Sequence, residues 1–360
     1  MASDLPIGTL LSTGLPAFLQ APRLNRHTFW CGQSGSGKTY ALGVLLEQVL
    51  LHTVLPIVVL DPNSDFVHLG SVREDASGDE AVAFADRSIR VLSPTAERGD
   101  RLLVRFVEMD IRSRAAMLQL DPIRDAEEYN AMLRFGVHNL GEVDGPVTEW
   151  LRSTGDPDFA RIATRIENLG LTDWDIWAWN NRDVTEIVAD RADATVIDLG
   201  NFAAAAQAQA VALAVLDDLW ARRHERIGRL IVIDEAHNLC SPEAATPLAR
   251  LLTERIIQIA AEGRKYGLWL LLSTQRPSKL HPNVISQCDN LALMKMSSTR
   301  DLEELGLIFG FAPQELLDRS PTFAQGQALF AGGFASEPQL VQMGVRLTQE
   351  GGSDVPIVFR

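Results

Sequence analysis

Thr28-Phe29-Trp30-Cys31-Gly32-Gln33-Ser34-Gly35-Ser36-Gly37-Lys38-Thr39-Tyr40 is the stretch on which the reading of the fold turns. Thr28 to Cys31 is apolar enough for a short buried strand. Tyr40 to Leu51 carries Leu42, Leu45, Leu46, Val49 and Leu50 and predicts a helix. Between them, Gly32 to Thr39 has the spacing G-x-x-x-x-G-K-[ST] of a P-loop. Small residues there let successive backbone N–H groups converge on phosphate oxygens at the positive end of a helix. The candidate nucleotide-binding residues are therefore Gln33, Ser34, Gly35, Ser36, Gly37, Lys38, Thr39 and Tyr40. In this motif the lysine, Lys38, reaches the β- and γ-phosphates, and the hydroxyl of Thr39 serves Mg²⁺.

A second stretch carries the complementary chemistry. Leu230-Ile231-Val232-Ile233 is a fully apolar strand that stops at Asp234-Glu235-Ala236-His237. An acid at such a strand end holds Mg²⁺ in P-loop proteins, and a neighbouring glutamate polarises the attacking water. The next apolar run, Leu268 to Ser273, leads to Thr274-Gln275-Arg276-Pro277 and puts Gln275 where a γ-phosphate is felt. Ile57-Val58-Val59-Leu60 ends likewise at Asp61-Pro62, at the sheet edge where ligands of open α/β sheets bind.

Outward from these blocks, 360 residues suffice for one large α/β domain with an insertion. Residues 1–26, broken by Pro6, Pro16 and Pro22, read as an N-terminal arm with one or two short strands. Residues 27–98 form the first part of the core, and 99–189 a helical insertion carrying Trp150, Trp174, Trp177 and Trp179, read as core or partner-facing surface. Residues 190–345 form the second part of the core, with strands expected at 194–199, 291–296, 328–331 and 339–345, the last closing the sheet. Residues 346–360 form a C-terminal tail, flexible or packed on something else.

Apolar residues make up 46% of the chain and charged residues 22%, ordinary for a globular protein. No run of about 18 apolar residues is present, so no membrane partner is expected and the chain is placed in the cytoplasm. Cys31, Cys240 and Cys288 have no C-x-x-C spacing, which argues against zinc and disulfides. The net charge of −14 opposes non-specific nucleic-acid binding. Against that sum, basic residues gather between 250 and 300, with one basic face or scattered solvated charges as the two readings.

Taken together, the P-loop, Asp61-Pro62, Thr195-Val196-Ile197-Asp198-Leu199, Ile231 to His237, Glu262-Gly263-Arg264-Lys265-Tyr266-Gly267, Ser273 to Leu280 and Ile285-Ser286-Gln287-Cys288 resemble the HerA branch of the HerA/FtsK ATPases. The resemblance implies a RecA-like P-loop NTPase core with a mostly parallel sheet, using ATP and Mg²⁺ in a homohexameric ring around double-stranded DNA. It makes Lys38 and Thr39 the Walker A pair, Asp234 the Walker B acid, Glu235 the catalytic glutamate and Gln275 the sensor. Arg264 is taken as the arginine finger, with Arg255 and Arg276 as rivals. HerA-like rings pair with nucleases or, in antiphage defence, with nuclease or sirtuin-type NAD-hydrolysing partners. The function implied is a DNA translocase or helicase subunit, the alternative a nucleotide-gated scaffold that regulates such an effector.

The sequence also departs from the family. Members commonly begin with a β-barrel domain, whereas here about 26 residues precede the P-loop strand. After Asp61-Pro62 the family usually has His-Gly-Glu-Tyr, and this chain has Asn63-Ser64-Asp65-Phe66. Asp234 to His237 also spells the DEAH box of another helicase superfamily, but the Gln-Arg-Pro block and the lack of a second RecA-like half oppose that reading.

Overall fold

Buried five-residue runs, β3 (His27–Cys31), β4 (Ile57–Asp61), β7 (Ala194–Asp198) and β8 (Arg229–Ile233), stand in one sheet because their side chains are apolar on both faces. The protein is described by a computed structural model over residues 4–95, 99–135, 146–179 and 181–351. The other strands are β1 (Asp4–Leu10), β2 (Pro16–Gln20), β5 (Ile89–Ser93), β6 (Asp100–Arg101), β9 (Leu268–Thr274), β10 (Cys288–Leu293), β11 (Gln327–Gly332) and β12 (Gln339–Met343). The helices are α1 (Lys38–His52), α2 (Asp79–Ala85), α3 (Ile111–Met117), α4 (Ala126–Phe135), α5 (Val147–Ser153), α6 (Pro157–Asn168), α7 (Val184–Ala189), α8 (Ala205–Ala221), α9 (Pro247–Glu262), α10 (Pro282–Ile285), α11 (Thr299–Ile308) and α12 (Gln314–Leu317).

The sheet runs β2-β1-β12-β11-β10-β3-β9-β8-β4-β7-β5-β6. From β10 to β6 every pairing is parallel, and from β10 outward to β2 every pairing is antiparallel. Alternation along the strands separates two cores. Phe29, Cys31, Ile231 and Ile233 face the layer that holds α8 and α9, while Trp30, Leu230 and Val232 face α1. The fold is thus a RecA-like α/β core, mostly parallel, with helices on both faces.

Several expectations change. Residues 4–20 are strands of the same sheet, because Leu5, Ile7 and Leu19 alternate inward and are fully buried. Strand β12 therefore does not close the sheet. It ends at Met343, and β1 and β2 continue beyond it. Strand β10 starts and ends three residues earlier than 291–296, pairing from Cys288 with His27 to Leu293 with Cys31, where β3 gives way to the P-loop. The stretch 99–189 opens with β6, paired to β5, before its helices begin. In that region Trp177 stacks on Trp174 and meets Phe106 edge-on, so these rings build local core. The tail is packed through Gly351, and its residues 352–360 lie outside the described residues.

One buried group links the fold to pH. His27 is fully buried at the start of β3 and accepts the Leu270 N–H through Nδ1 at 2.9 Å. Burial, with the nearby Arg264 and Arg26 charges, lowers its pKa from 6.5 to about 4. A depressed imidazole pKa means that the unfolded chain takes up the proton first, so stability is kept above about pH 6.5 and lost as pH falls toward 4. Denaturation near pH 4.5 is expected to show about 2–3 kcal/mol less stability from this group than near pH 7. His27→Asn, whose amide oxygen can still accept the Leu270 N–H, is expected to lose that part of the slope, and an unchanged slope contradicts the assignment.

Candidate nucleotide site

The P-loop joins the end of β3 to the first turn of α1. Gly35 and Gly37 take φ of 76° and 84°, a left-handed turn that favours glycine. Gly32 makes room by its smallness: a Cβ there would sit 2.8 Å from both Met294 Cβ and Ser36 Oγ. The loop is anchored by Gln33 N–H to the Lys295 carbonyl (2.8 Å) and by Ser297 N–H to the Gln33 side-chain oxygen (3.0 Å).

Lys38 is 4% exposed, and its ammonium lies 2.8 Å from Asp234 Oδ1, 2.8 Å from Ser273 Oγ and 3.1 Å from Glu235 Oε1. Burial alone would lower the lysine pKa, but the Asp234 and Glu235 carboxylates outweigh it and the pKa is raised. Glu235 sits at φ 39° and ψ 48°, a left-handed conformation that a side-chain-bearing residue keeps only when its surroundings enforce it. The enforcement is visible: Oε2 accepts the Gln275 N–H (3.2 Å) and lies 3.2 Å from His237 Nδ1, which itself lies 2.9 Å from Thr274 Oγ1. Burial pushes the Glu235 pKa up, yet the His237 contact, the Lys38 charge and the Gln275 N–H together pull it down to about 2.

Across from these groups, Asp61, Asp65 and Asp234 place carboxylate oxygens within 4.8 Å of one another. Asp61 is held at its strand end by the Asp65 and Phe66 N–H groups (3.0 and 2.7 Å). Burial raises Asp61 to about 7 and Asp65 to about 6, with the Asp234 charge adding to both. Thr39 Oγ1 lies 3.5 Å from Asp65 Oδ2. Asp234 Oδ2 and Ser36 Oγ are buried without a hydrogen-bond partner among the described residues. An orphaned carboxylate oxygen, further acids and a nearby hydroxyl form a hard-oxygen donor set that fits Mg²⁺. Thr39 and Asp234, with Asp65 beside them, would hold the ion, which would supply charge neutralisation for phosphate oxygens.

A cavity of about 800 Å³ opens over this arrangement. Its lining includes Gln33, Ser34, Gly35, Gly37, Thr39 and Tyr40, with Lys38, Asp65 and Gln275 at one end. Ser36 turns inward and is buried. A separate apolar cavity of about 40 Å³ among Phe106, Ile166 and Trp177 offers none of these groups. Lys38, Thr39, Asp234, Glu235 and Gln275 thus come together, whereas Arg264 does not. It precedes β9 at the sheet edge opposite Gln275 and is ion-paired with Asp289. Arg255 is tied to Asp217 at 2.6 Å, and Arg276 is exposed next to Gln275. Strand β9 also splits the basic cluster, with Arg264 and Lys265 at one end and Arg276 and Lys279 about 23 Å away at the other. The charges therefore do not form one face.

Asp61 was placed at the ligand-binding sheet edge without a specific role, and Asp65 and His237 had drawn no functional role from the sequence. Asp65 stands where the family's block has its glutamate, and that retained acid was the available signal. The three thiols are all buried, and burial raises their pKa values, Cys240 to about 12.

With this geometry described, similarity to known proteins can be weighed. Residues 5–167 match the family described as the central domain of helicase HerA. Over 98% of its length the chain is 23% identical to the DNA double-strand break repair helicase HerA of Sulfolobus acidocaldarius, spanning 72% of that protein. These matches make the chain similar to the HerA-type P-loop ATPases. The HerA of Pyrococcus furiosus is 30% identical over 36% of this chain, a match that spans 24% of that relative. Among solved structures, VirB4 of Thermoanaerobacter pseudethanolicus superposes with a TM-score of 0.63 at 14% identity, covering 96% of this chain and 97% of VirB4. The plasmid coupling protein TrwB, in complex with ADP and Mg²⁺, gives 0.59 at 14% identity, covering 97% and 90%. Both likenesses concern the fold.

The Lys38 geometry of this HerA-like chain has a direct consequence. Nucleotide must draw the ammonium away from two carboxylates, so neutralising one lowers the competition. Glu235→Gln is expected to bind ATP about fivefold more tightly while losing turnover. Equal or weaker binding, read by calorimetry, contradicts the competition.

Proposed function

We propose that the chain is an ATP-hydrolysing subunit of a homohexameric ring that moves double-stranded DNA and works with an effector enzyme, a nuclease or a sirtuin-type NAD hydrolase, in DNA processing or antiphage defence. The observation that carries the hydrolytic part is the convergence of Lys38, Asp234, Glu235 and Gln275 at the ends of three strands under one glycine loop. Each has a stated job. Lys38 binds the terminal phosphates, Thr39 and Asp234 hold Mg²⁺, and Glu235 accepts a proton from the attacking water. His237 and the Gln275 N–H fix the direction of Glu235. The curated relatives named as helicases support the DNA part.

Arg264 lies too far from its own P-loop to serve it, which favours action on a neighbouring subunit's nucleotide. Ring closure would then release it from Asp289.

Steady-state ATPase with and without double-stranded DNA, at fixed salt and with light scattering in parallel, tests the proposal. A hexamer stimulated by DNA is the expected result. Lys38→Ala and Glu235→Ala should each lose at least about a hundredfold in turnover, and Arg264→Ala about a thousandfold. Full activity in the first two variants overturns the site. A monomer in the presence of ATP overturns the ring. Hydrolysis by an assembled ring indifferent to DNA favours the scaffold function instead.

A further inference from the structure

Lys38 fixes the phosphate end of the large cavity, since its ammonium points toward the ends of β8 and β9. In the sheet those strands lie on one side of β3, and β10, β11, β12 and β1 lie on the other. A nucleoside triphosphate with its terminal phosphate at Lys38 therefore carries its nucleoside toward the β11–β12–β1 side. The cavity continues there, walled by Gln325, Gly326, Gln342, Gly344 and Val345. One hydrogen bond of 2.9 Å, Gly326 N–H to the Ser36 carbonyl, couples this wall to the P-loop, and a second of 2.9 Å, Met343 N–H to the Gly326 carbonyl, joins the wall's two parts. Val345 is 74% exposed, although Met343 and Arg346 around it are buried. A bare isopropyl group in the wall of a polar cavity gives the flat face of a base something to pack on.

Beyond Val345 the chain crosses α1 and is knotted to it. Arg346 N–H donates to Tyr40 Oη at 2.8 Å. Glu47 accepts the Leu347 N–H and the Thr348 N–H, each at 2.8 Å, and the Thr348 hydroxyl at 2.6 Å. The Arg346 guanidinium stands 3.8 Å from Glu47, with both side chains fully buried. Gly43 clears the space, because a Cβ there would come 2.5 Å from Arg346 Nε. The segment then reaches the metal side, where Gly351 N–H donates to the Asp65 carbonyl at 3.1 Å.

We propose that residues 342–345 form the nucleoside subsite, with Val345 packing on the base and the Glu47–Arg346–Thr348 knot holding the strap in place. Recognition of the base thus falls to this strap, while the P-loop reads the triphosphate. The inference rests on the nucleotide function proposed above.

Two ligands separate the roles: a non-hydrolysable ATP analogue and inorganic tripolyphosphate, each with Mg²⁺, bound to the full chain and to Val345→Asn. The exposed, neutral substitution should leave the fold intact. Affinity for the analogue is expected to fall about fivefold, with tripolyphosphate unchanged within about twofold. Val345→Ile should restore the analogue. No loss for the analogue, or equal loss for both ligands, overturns the subsite. Failure of the unaltered chain to bind either ligand overturns the nucleotide function itself.

Discussion

The structure depends on one ion cluster, the Lys38 ammonium held between Asp234 and Glu235 with the Ser273 hydroxyl as a third partner. Charges this deeply buried are tolerated only when paired and hydrogen-bonded. The cluster ties the first turn of α1 to the ends of β8 and β9, and so the glycine loop to the catalytic strand ends. In the proposed function, nucleotide binding would exchange carboxylates for phosphates at the lysine and leave the acids to the metal and to water.

The surrounding fold makes that exchange local. Strands β4, β8 and β9 are buried on both faces and end together, so Asp61, Asp234 and Glu235 rest on rigid elements. Glu235 pays for its position with a left-handed backbone, secured by His237, Thr274 and the Gln275 N–H. Movement at Gln275 therefore reaches the glutamate directly, a short mechanical path between the two groups.

Much of this was legible in the sequence, for a physical reason. The P-loop, the acid at the end of β8 and the glutamine after β9 are each encoded within a few residues, and apolar runs mark their strands. What escaped notice depends on distant partners. Glu47 sits in an otherwise apolar helix, and its acceptors are satisfied by Leu347 and Thr348, some 300 positions away. The short strands of the N-terminal arm were expected, but their membership of the main sheet was hidden, because β1 joins it by pairing with β12 from the far end of the chain and β2 pairs with β1. Asp65 was obscured because its block departs from the family's pattern around it. The left-handed turn at Glu235 has no glycine to announce it.

The most direct test of the account is a structure of the chain with a non-hydrolysable ATP analogue and Mg²⁺, read at one distance. Lys38 Nζ stands 2.8 Å from Asp234 Oδ1. The account predicts that this contact opens as Lys38 moves onto the terminal phosphates, with Asp234 facing the ion. A nucleotide bound elsewhere, or one bound over the P-loop while the Lys38–Asp234 pair stays closed, would contradict it.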